Sequence, residues 1–156
     1  MSDQPFHISV KDGVNSSESQ ITFEPLRQGF GHTLGVALRR VMLSGLPGAA
    51  VTKVKIKGAT HQFTTLKGMN EDIVELILNI KQLKLAYTGD KPETMHLQIS
   101  GDREVKAGDL DCPATIKIAN PDLSLANLSD KKSKLTAELT VETGTGYLSA
   151  EEQGKQ

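Results

Sequence analysis

The chain has 156 residues, of which 37% are hydrophobic and 24% charged, and its formal net charge is −1. This composition is typical of a globular protein, and the length suits one ordinary domain or two small lobes. The near-neutral charge and the 4% content of aromatic residues argue against a chain that binds RNA or DNA by itself. Such binding needs positive charge and rings on which bases stack.

The single cysteine, Cys112, excludes an internal disulfide and a zinc site built from several thiolates, and it favours a reducing compartment. The first residues lack the basic and apolar regions of a secretory signal. No apolar run approaches the roughly 20 residues that a membrane helix needs. These features predict a cytoplasmic protein that makes no contact with a membrane.

Two strands are predicted near the amino terminus. Residues 6–13 alternate, with Phe6, Ile8 and Val10 on one side. Strand character returns at residues 21–23 and ends at Pro25, which has no backbone N–H for a sheet. The polar residues between the two strands predict a turn.

A helix is predicted over residues 33–44, after a glycine-containing entry over 28–32 and with Gly45 as its end. Its only charged residues are Arg39 and Arg40. Its apolar residues, which lie nearly all round the helix, are Leu34, Val36, Ala37, Leu38, Val41, Met42 and Leu43. A helix of this kind has to be buried on several sides. Because so small a chain can hardly surround it, we infer that another subunit covers part of it.

A strand over residues 49–56 is predicted next, with lysines alternating along one solvated face. Residues 60–69 are predicted as a loop that contains a short extended piece over 61–63. A second helix is predicted over 71–82, with Asn70 as its N-cap. The acidic residues of its first turn, Glu71 and Asp72, complement the helix dipole. Its apolar stripe, formed by Ile73, Leu76, Ile77 and Ile80, predicts packing on a sheet.

The rest of the chain is predicted to be β-rich, with turns at Gly-Asp, Asn-Pro and Ser-Asp pairs. The predicted strands cover residues 83–88, 94–100, 115–118, 123–128 and 135–142. The last residues, 151–156, are polar and carry no structural signal. Together these elements predict the α+β class rather than a regular alternation of strands and helices.

The glycines between the second strand and the first helix allow an alternative interpretation, a small nucleotide-binding enzyme. Gly29, Gly31 and Gly35 are spaced one residue wider than the dinucleotide fingerprint. No acidic residue follows at about 20 residues, where a ribose would be bound. A tight turn that caps the helix is the simpler explanation. A third interpretation, a stand-alone RNA or DNA binder, conflicts with the net charge.

No catalytic, metal-binding or cofactor-binding residue is predicted. The chain has four histidines, and none lies at metal-ligand spacing from another His, Asp or Glu on a predicted helix. Arg39 and Arg40 are the residues most suited to a function. Because their helix is otherwise apolar, at least one guanidinium should lie beside buried surface, where its planar fork can pair with a carboxylate of a partner.

Two groups of motifs in the first half of the chain resemble the signatures of the bacterial DNA-directed RNA polymerase alpha subunit, amino-terminal region. The first consists of ITFEPL at 21–26, GFGHTLG at 29–35 and ALRRVMLS at 37–44. The second consists of HQFTT at 61–65, Gly68, EDI at 71–73 and LNIK at 78–81. GTGY at 144–147 is similar to the Gly-x-Gly-Tyr turn of that family.

The resemblance implies a two-lobe fold, in which a mostly β lobe is inserted into a dimerisation lobe. Residues 1–47 would be the first part of the dimerisation and assembly lobe, 48–147 the inserted lobe and 148–156 a polar tail. The protein would be a non-catalytic assembly scaffold of a nucleotidyltransferase complex. It would form an alpha homodimer and recruit the beta and then the beta-prime subunits for transcription.

The resemblance also implies interface residues. The dimer interface would be formed by Leu34, Leu38, Val41 and Met42. The beta-subunit contacts would be Phe30, His32, Thr33, Arg39, Arg40, Thr65, Gly68, Glu71 and Asp72. Where the family commonly has asparagine, this chain has Val36. The resemblance implies that the chain is truncated, without the returning dimerisation segment and the DNA-binding carboxy-terminal domain. Promoter binding is therefore not expected of these residues.

Overall fold

The computed structural model describes residues 6–15 and 18–153. They fall into two units that divide between Leu46 and Pro47. None of the described helices is long and apolar enough to cross a membrane. Whether the two units are the dimerisation lobe and the inserted lobe that the resemblance implies stays a prediction.

The first unit contains a β-hairpin and one helix. Strands β1 (His7–Asp12) and β2 (Ser19–Glu24) pair antiparallel along their whole length. The rings of Phe6 and Phe23 lie 6.0 Å apart on this hairpin. Helix α1 (Phe30–Gly45) follows. None of the described residues up to Leu46 is buried, so this unit has no core of its own.

The predicted start of helix α1 at residue 33 was wrong, because the helix begins three residues earlier, at Phe30. Gly29 is the N-cap and has a φ of 83°, in the left-handed region where glycine is favoured. The Phe30 N–H donates to the Arg27 carbonyl at 3.0 Å, which closes the turn that leads into the helix. The glycine-containing entry is therefore helical from Phe30 onward.

The second unit is built on a five-stranded antiparallel sheet, whose strands are β3 (Pro47–Ile56), β4 (Leu85–Tyr87), β5 (Glu93–Ser100), β7 (Ile116–Ile118) and β9 (Lys134–Thr145). They lie side by side in the order β5-β9-β3-β4-β7. A second, two-stranded sheet pairs β6 (Arg103–Lys106) with β8 (Ser124–Leu128). Its helices are α2 (Ile73–Ile80), a 3₁₀ turn (Ala107–Asp109) and α3 (Ala150–Gln153). The predicted α+β class is confirmed.

The core of the second unit lies between α2 and the inner faces of the strands. Ile73, Leu76 and Ile80 point from α2 into it, as the predicted apolar stripe requires. The sheets contribute Met95, Leu97, Leu125, Leu135, Leu139 and Val141, all at most 2% exposed. The outer face of β3 is solvated, and its lysines pair loosely with carboxylates of β9, Lys53 with Glu142 at 3.7 Å and Lys55 with Glu138 at 3.9 Å.

Several predicted boundaries in the second unit were wrong. Residues 61–63 form a turn rather than an extended piece, and the extended pairing instead joins Thr65 to Asp72. Helix α2 spans Ile73–Ile80 rather than 71–82, and its N-cap is Asp72 instead of Asn70. Strand β6 was not predicted, since only Val105 of its four residues is buried. The predicted tail contains α3, and residues 154–156 lie outside the described residues.

Candidate protein-interaction surfaces

Helix α1 exposes large apolar side chains to solvent. Val36, Val41, Met42 and Leu43 are between 56% and 71% exposed. Leu34 and Leu38 are half-buried. Because a protein surface rarely leaves so many apolar side chains uncovered on one helix, such a surface marks an interaction site.

A shallow depression of about 560 Å³ runs along one side of α1. It is lined by His32, Thr33, Val36, Ala37, Arg40 and Val41, which recur at the four-residue spacing of one helix face. The structure therefore brings together three of the predicted beta-subunit contacts, His32, Thr33 and Arg40. Phe30 and Arg39 are on the same helix but do not line this depression.

The four predicted dimer residues follow a neighbouring stripe of α1. Leu34 and Leu38 are one helical turn apart, and Met42 is one turn further. Val41 belongs both to this stripe and to the depression. The two predicted contact sets thus lie side by side on one helix, which means that a partner on one stripe would sit next to a partner on the other.

The remaining predicted contacts lie in the second unit, in the segment 64–72 before α2. This segment is tied at its base, where Thr65 pairs with Asp72 and the Ile73 N–H donates to the Thr64 carbonyl at 3.3 Å. The Thr65 and Asp72 side chains are exposed, and Gly68 is half-buried. The segment is therefore a closed loop with a fixed base rather than an open connection.

The carboxylates of Glu71 and Asp72 already have partners within the chain. The Glu71 Oε2 accepts the backbone N–H of Asn127 at 2.7 Å, and its Oε1 accepts the Asn127 side-chain amide at 2.8 Å. The Asp72 Oδ1 accepts the Glu75 N–H at 2.7 Å and so caps α2. Both residues therefore shape the loop, and their contact with another subunit stays a prediction.

Gly68 has a structural reason to be glycine. Its φ is 83°, and a Cβ at this position would overlap the side chain of Ser133, which is buried. Gly68 was predicted as a contact residue, whereas Asn127, which is hydrogen-bonded to this loop, and Ser133, which lies against Gly68, were not predicted from the sequence. Both lie more than 50 residues further along the chain, and no local pattern links them to it.

The glycines that suggested a nucleotide site do not form a phosphate-binding loop. Gly29 caps α1, whereas Gly31 and Gly35 lie inside the helix. A dinucleotide site needs its first glycines in the turn between a strand and a helix, where backbone N–H groups can approach the phosphates. The geometry of this segment therefore argues against the nucleotide-binding interpretation.

The titratable side chains do not gather into a reactive cluster in the described part of the chain. Residues 6–15 and 18–153 contain no group of three or more His, Cys, Asp or Glu side chains placed to hold a metal ion. His61 shares a hydrogen bond with the Thr64 hydroxyl, at 3.2 Å from Nδ1 to Oγ1. This contact lies within the turn over residues 61–64 and belongs to the loop rather than to a reactive centre.

Cys112 is half-buried, and its Sγ lies 3.5 Å from the Met95 Sδ and 3.5 Å from the Leu110 carbonyl oxygen. Burial, and to a lesser extent the Asp111 carboxylate, raises the pKa of the Cys112 thiol. Since the thiolate is the reactive form, we expect iodoacetamide to alkylate Cys112 several-fold more slowly in the folded chain than in the chain unfolded in urea, at neutral pH. Mass spectrometry over time measures both rates, and equal rates would contradict this prediction.

Comparison with known proteins places these features in a family. The family model described as the RNA polymerase Rpb3/RpoA insert domain matches residues 54–156. The chain is 49% identical over 92% of its length to the DNA-directed RNA polymerase subunit alpha of Syntrophomonas wolfei. It is 51% identical over 90% of its length to the subunit of that name from Corynebacterium efficiens, and 47% identical over 94% to that from Frankia casuarinae.

The chain therefore belongs to the family of DNA-directed RNA polymerase alpha subunits, as the sequence motifs predicted. It spans 45%, 41% and 42% of the length of these three relatives. By name, these relatives are subunits of a DNA-directed RNA polymerase.

Proposed function

We propose that the chain is a non-catalytic assembly scaffold of DNA-directed RNA polymerase, which dimerises with a second alpha subunit and recruits the beta and beta-prime subunits. Catalysis and nucleotide binding would belong to the other subunits, and the chain would bind neither cofactor nor nucleic acid itself. The net charge of −1 agrees with this division of roles. Its place of action would be the cytoplasm, where bacterial transcription occurs.

The observation that carries this proposal is the lack of any buried residue in α1. Each Val, Leu or Met side chain that becomes fully buried contributes about 1.5–3 kcal/mol. Four exposed apolar side chains on one helix therefore provide a substantial driving force for association. Obligate interfaces of this kind bury on the order of 2,000 Å² or more.

Two neighbouring surfaces would divide the partners between them. The dimer would form along the stripe of Leu34, Leu38, Val41 and Met42. The beta subunit would contact the depression next to it through His32, Thr33 and Arg40, together with Phe30 and Arg39 on the same helix. A second beta contact would come from the segment 64–72 of the second unit, which contains Thr65, Gly68, Glu71 and Asp72.

Arg40 is the residue best placed to orient the beta subunit. It lines the depression on α1 beside apolar side chains, and the ion pairs found among the described residues do not include it. A guanidinium in such a position can form a bidentate pair with a carboxylate of the partner. Because the pair would be shielded by the surrounding apolar surface, its loss would cost more than that of an exposed ion pair.

We predict that Arg40→Ala weakens capture of the beta subunit by roughly 30-fold or more, which corresponds to about 2 kcal/mol for a truncated partner of a buried charge pair. The side chain is exposed in the free chain, so thermal unfolding should hardly change. Titration of the beta subunit of the same RNA polymerase against immobilised chain measures the affinity.

The matched control is Arg27→Ala, which removes the same charge from the loop before α1. It should leave the affinity for beta within about threefold of that of the unchanged chain, because long-range electrostatics are largely screened at physiological salt. An Arg40→Ala chain that captures beta with unchanged affinity would refute the role of Arg40. A chain that captures no beta even with Arg40 in place would refute the scaffold itself.

A further inference from the structure

Every residue from Gly68 to Glu71 is joined to the end of β8 or to the turn after it. The Ser129 N–H donates to the Gly68 carbonyl at 3.0 Å, and Met69 pairs with Leu128. The Asn70 N–H donates to the Asn127 carbonyl at 3.0 Å. The Glu71 carboxylate makes the last of these contacts by accepting hydrogen bonds from Asn127.

Strand β8 is a firm support for this loop. Its residues Leu125, Ala126 and Leu128 are at most 4% exposed and belong to the core. The Asn79 side chain of α2 also donates to the Leu125 carbonyl, at 3.0 Å. The loop is thus fastened to the same strand that helps to hold α2, and a shift of β8 would move both.

The contact made by Glu71 differs from the other contacts between the loop and β8, because its acceptor is a charged carboxylate. Its carboxylate is half-buried and accepts from two donors of one residue, a backbone N–H and a side-chain amide. Hydrogen bonds to an ionised acceptor are about twice as strong as neutral ones. Backbone contacts alone would tie Gly68, Met69 and Asn70, whereas Glu71 fixes where the loop turns into α2.

We propose that Glu71 and Asn127 form a clamp that positions the segment 64–72 for docking, and that Glu71 acts through this clamp rather than by touching the beta subunit. The inference rests on the proposed scaffold function, in which this segment is one of the beta contacts. A loop held in its bound conformation pays less ordering entropy on association. Breaking the hydrogen bonds between Glu71 and Asn127 would therefore weaken docking, although the exposed contact residue Thr65 would be unchanged.

The clamp can be broken and rebuilt by exchanging the carboxylate of Glu71 and the amide of Asn127. Asn127→Asp places a second carboxylate opposite that of Glu71, which removes the amide donor and adds repulsion. Glu71→Gln alone is mild, because the new amide can accept from the Asn127 N–H and donate to the Asn127 Oδ1 once that side chain flips. With both changes, the new amide at 71 donates to the new carboxylate at 127 and still accepts the backbone N–H.

We expect Asn127→Asp to weaken capture of the beta subunit by roughly 10-fold, the equivalent of one charge-assisted hydrogen bond. Hydrogen exchange of the amides of residues 64–72 should rise together with this loss. The double variant Asn127→Asp/Glu71→Gln should return both readouts to within about threefold of the unchanged chain. Exchange in β9, whose Leu135, Leu139 and Val141 are fully buried, serves as the internal measure that each variant is folded.

The matched control is Asn127→Asp/Glu75→Gln. It has the same net charge as the double variant that rebuilds the clamp, but Glu75 is an exposed residue of α2, and the side-chain hydrogen bonds described for Asn127 are made with Glu71. This control should behave like Asn127→Asp alone. If it restored capture as well, net charge rather than the clamp would explain the rescue, and the proposal would be overturned.

Three further results would overturn the proposal in different ways. Restored exchange protection without restored capture would mean that the Glu71 carboxylate itself touches the beta subunit. Faster exchange with unchanged capture would mean that the loop need not be held for docking. If the unchanged chain captured no beta subunit, the scaffold function and the docking role would both fall, while the exchange data would still report the clamp as a purely structural device.

Discussion

Replacing Gly68 by alanine is expected to lower the free energy of unfolding by about 2–5 kcal/mol. The left-handed backbone, with its φ of 83°, costs a residue with a Cβ about 1–2 kcal/mol. The new methyl group would also overlap the buried Ser133 side chain, and overpacking typically costs about 1–3 kcal/mol. Urea unfolding followed by circular dichroism measures the loss.

Gly101→Ala separates the two causes. Gly101 also has a positive φ, 98°, but a Cβ there would meet nothing within 4 Å. Its replacement should therefore cost only the backbone part, about 1–2 kcal/mol. If the two variants lost the same stability, the overlap with Ser133 would contribute nothing. Since Gly68 lies in the segment 64–72, its alanine variant should also weaken capture of the beta subunit, whereas Gly101→Ala should not.

The second large effect is expected from Val41→Asp on self-association. Val41 is 65% exposed in the single chain, so the change should alter its stability by no more than about 0.5 kcal/mol. In a symmetric dimer each substitution occurs twice, and a carboxylate without a partner in buried surface costs several kcal/mol. We therefore expect the dissociation constant of the alpha dimer to rise more than about 100-fold. Sedimentation equilibrium measures it.

Val14→Asp is the control for Val41→Asp. Val14 is a fully exposed residue of the same unit, in the turn between β1 and β2. The substitution adds the same charge at a position outside the proposed dimer stripe. The dissociation constant of the dimer should therefore stay within about threefold of that of the unchanged chain. A Val41→Asp chain that associates as tightly as the Val14→Asp chain would place the dimer interface elsewhere.

The elements with strong periodic patterns were predictable from sequence. The stripe of Ile73, Leu76 and Ile80 predicted an amphipathic helix, and all three side chains lie in the core. The alternation along β5 and β9 likewise predicted strands, which pair with each other from Glu93 to Ser100. In these elements one face is buried and the other solvated, so the period of the sequence shows directly which residues face the core.

The loop before α2 was not predictable in the same way. Asn70 has the side chain of a good N-cap, yet its backbone N–H is held by Asn127, and the cap is Asp72. Residues 61–63 were predicted to be extended, but they form a turn. Strand β6 shows a single buried residue, Val105, which is too little alternation to detect. For Asn70 and for β6, contacts distant in sequence decided the outcome, with Asn127 and with β8.

The family, the α+β class and the apolar surface of α1 could all be predicted from the amino-acid sequence. These follow from short motifs and from the distribution of apolar side chains around a helix, both of which are local properties of the chain. In contrast, the contacts of Glu71 with Asn127 and of Gly68 with Ser133 became apparent only in the folded chain. Such pairs form because the loop lies along β8, and that packing depends on the whole second unit.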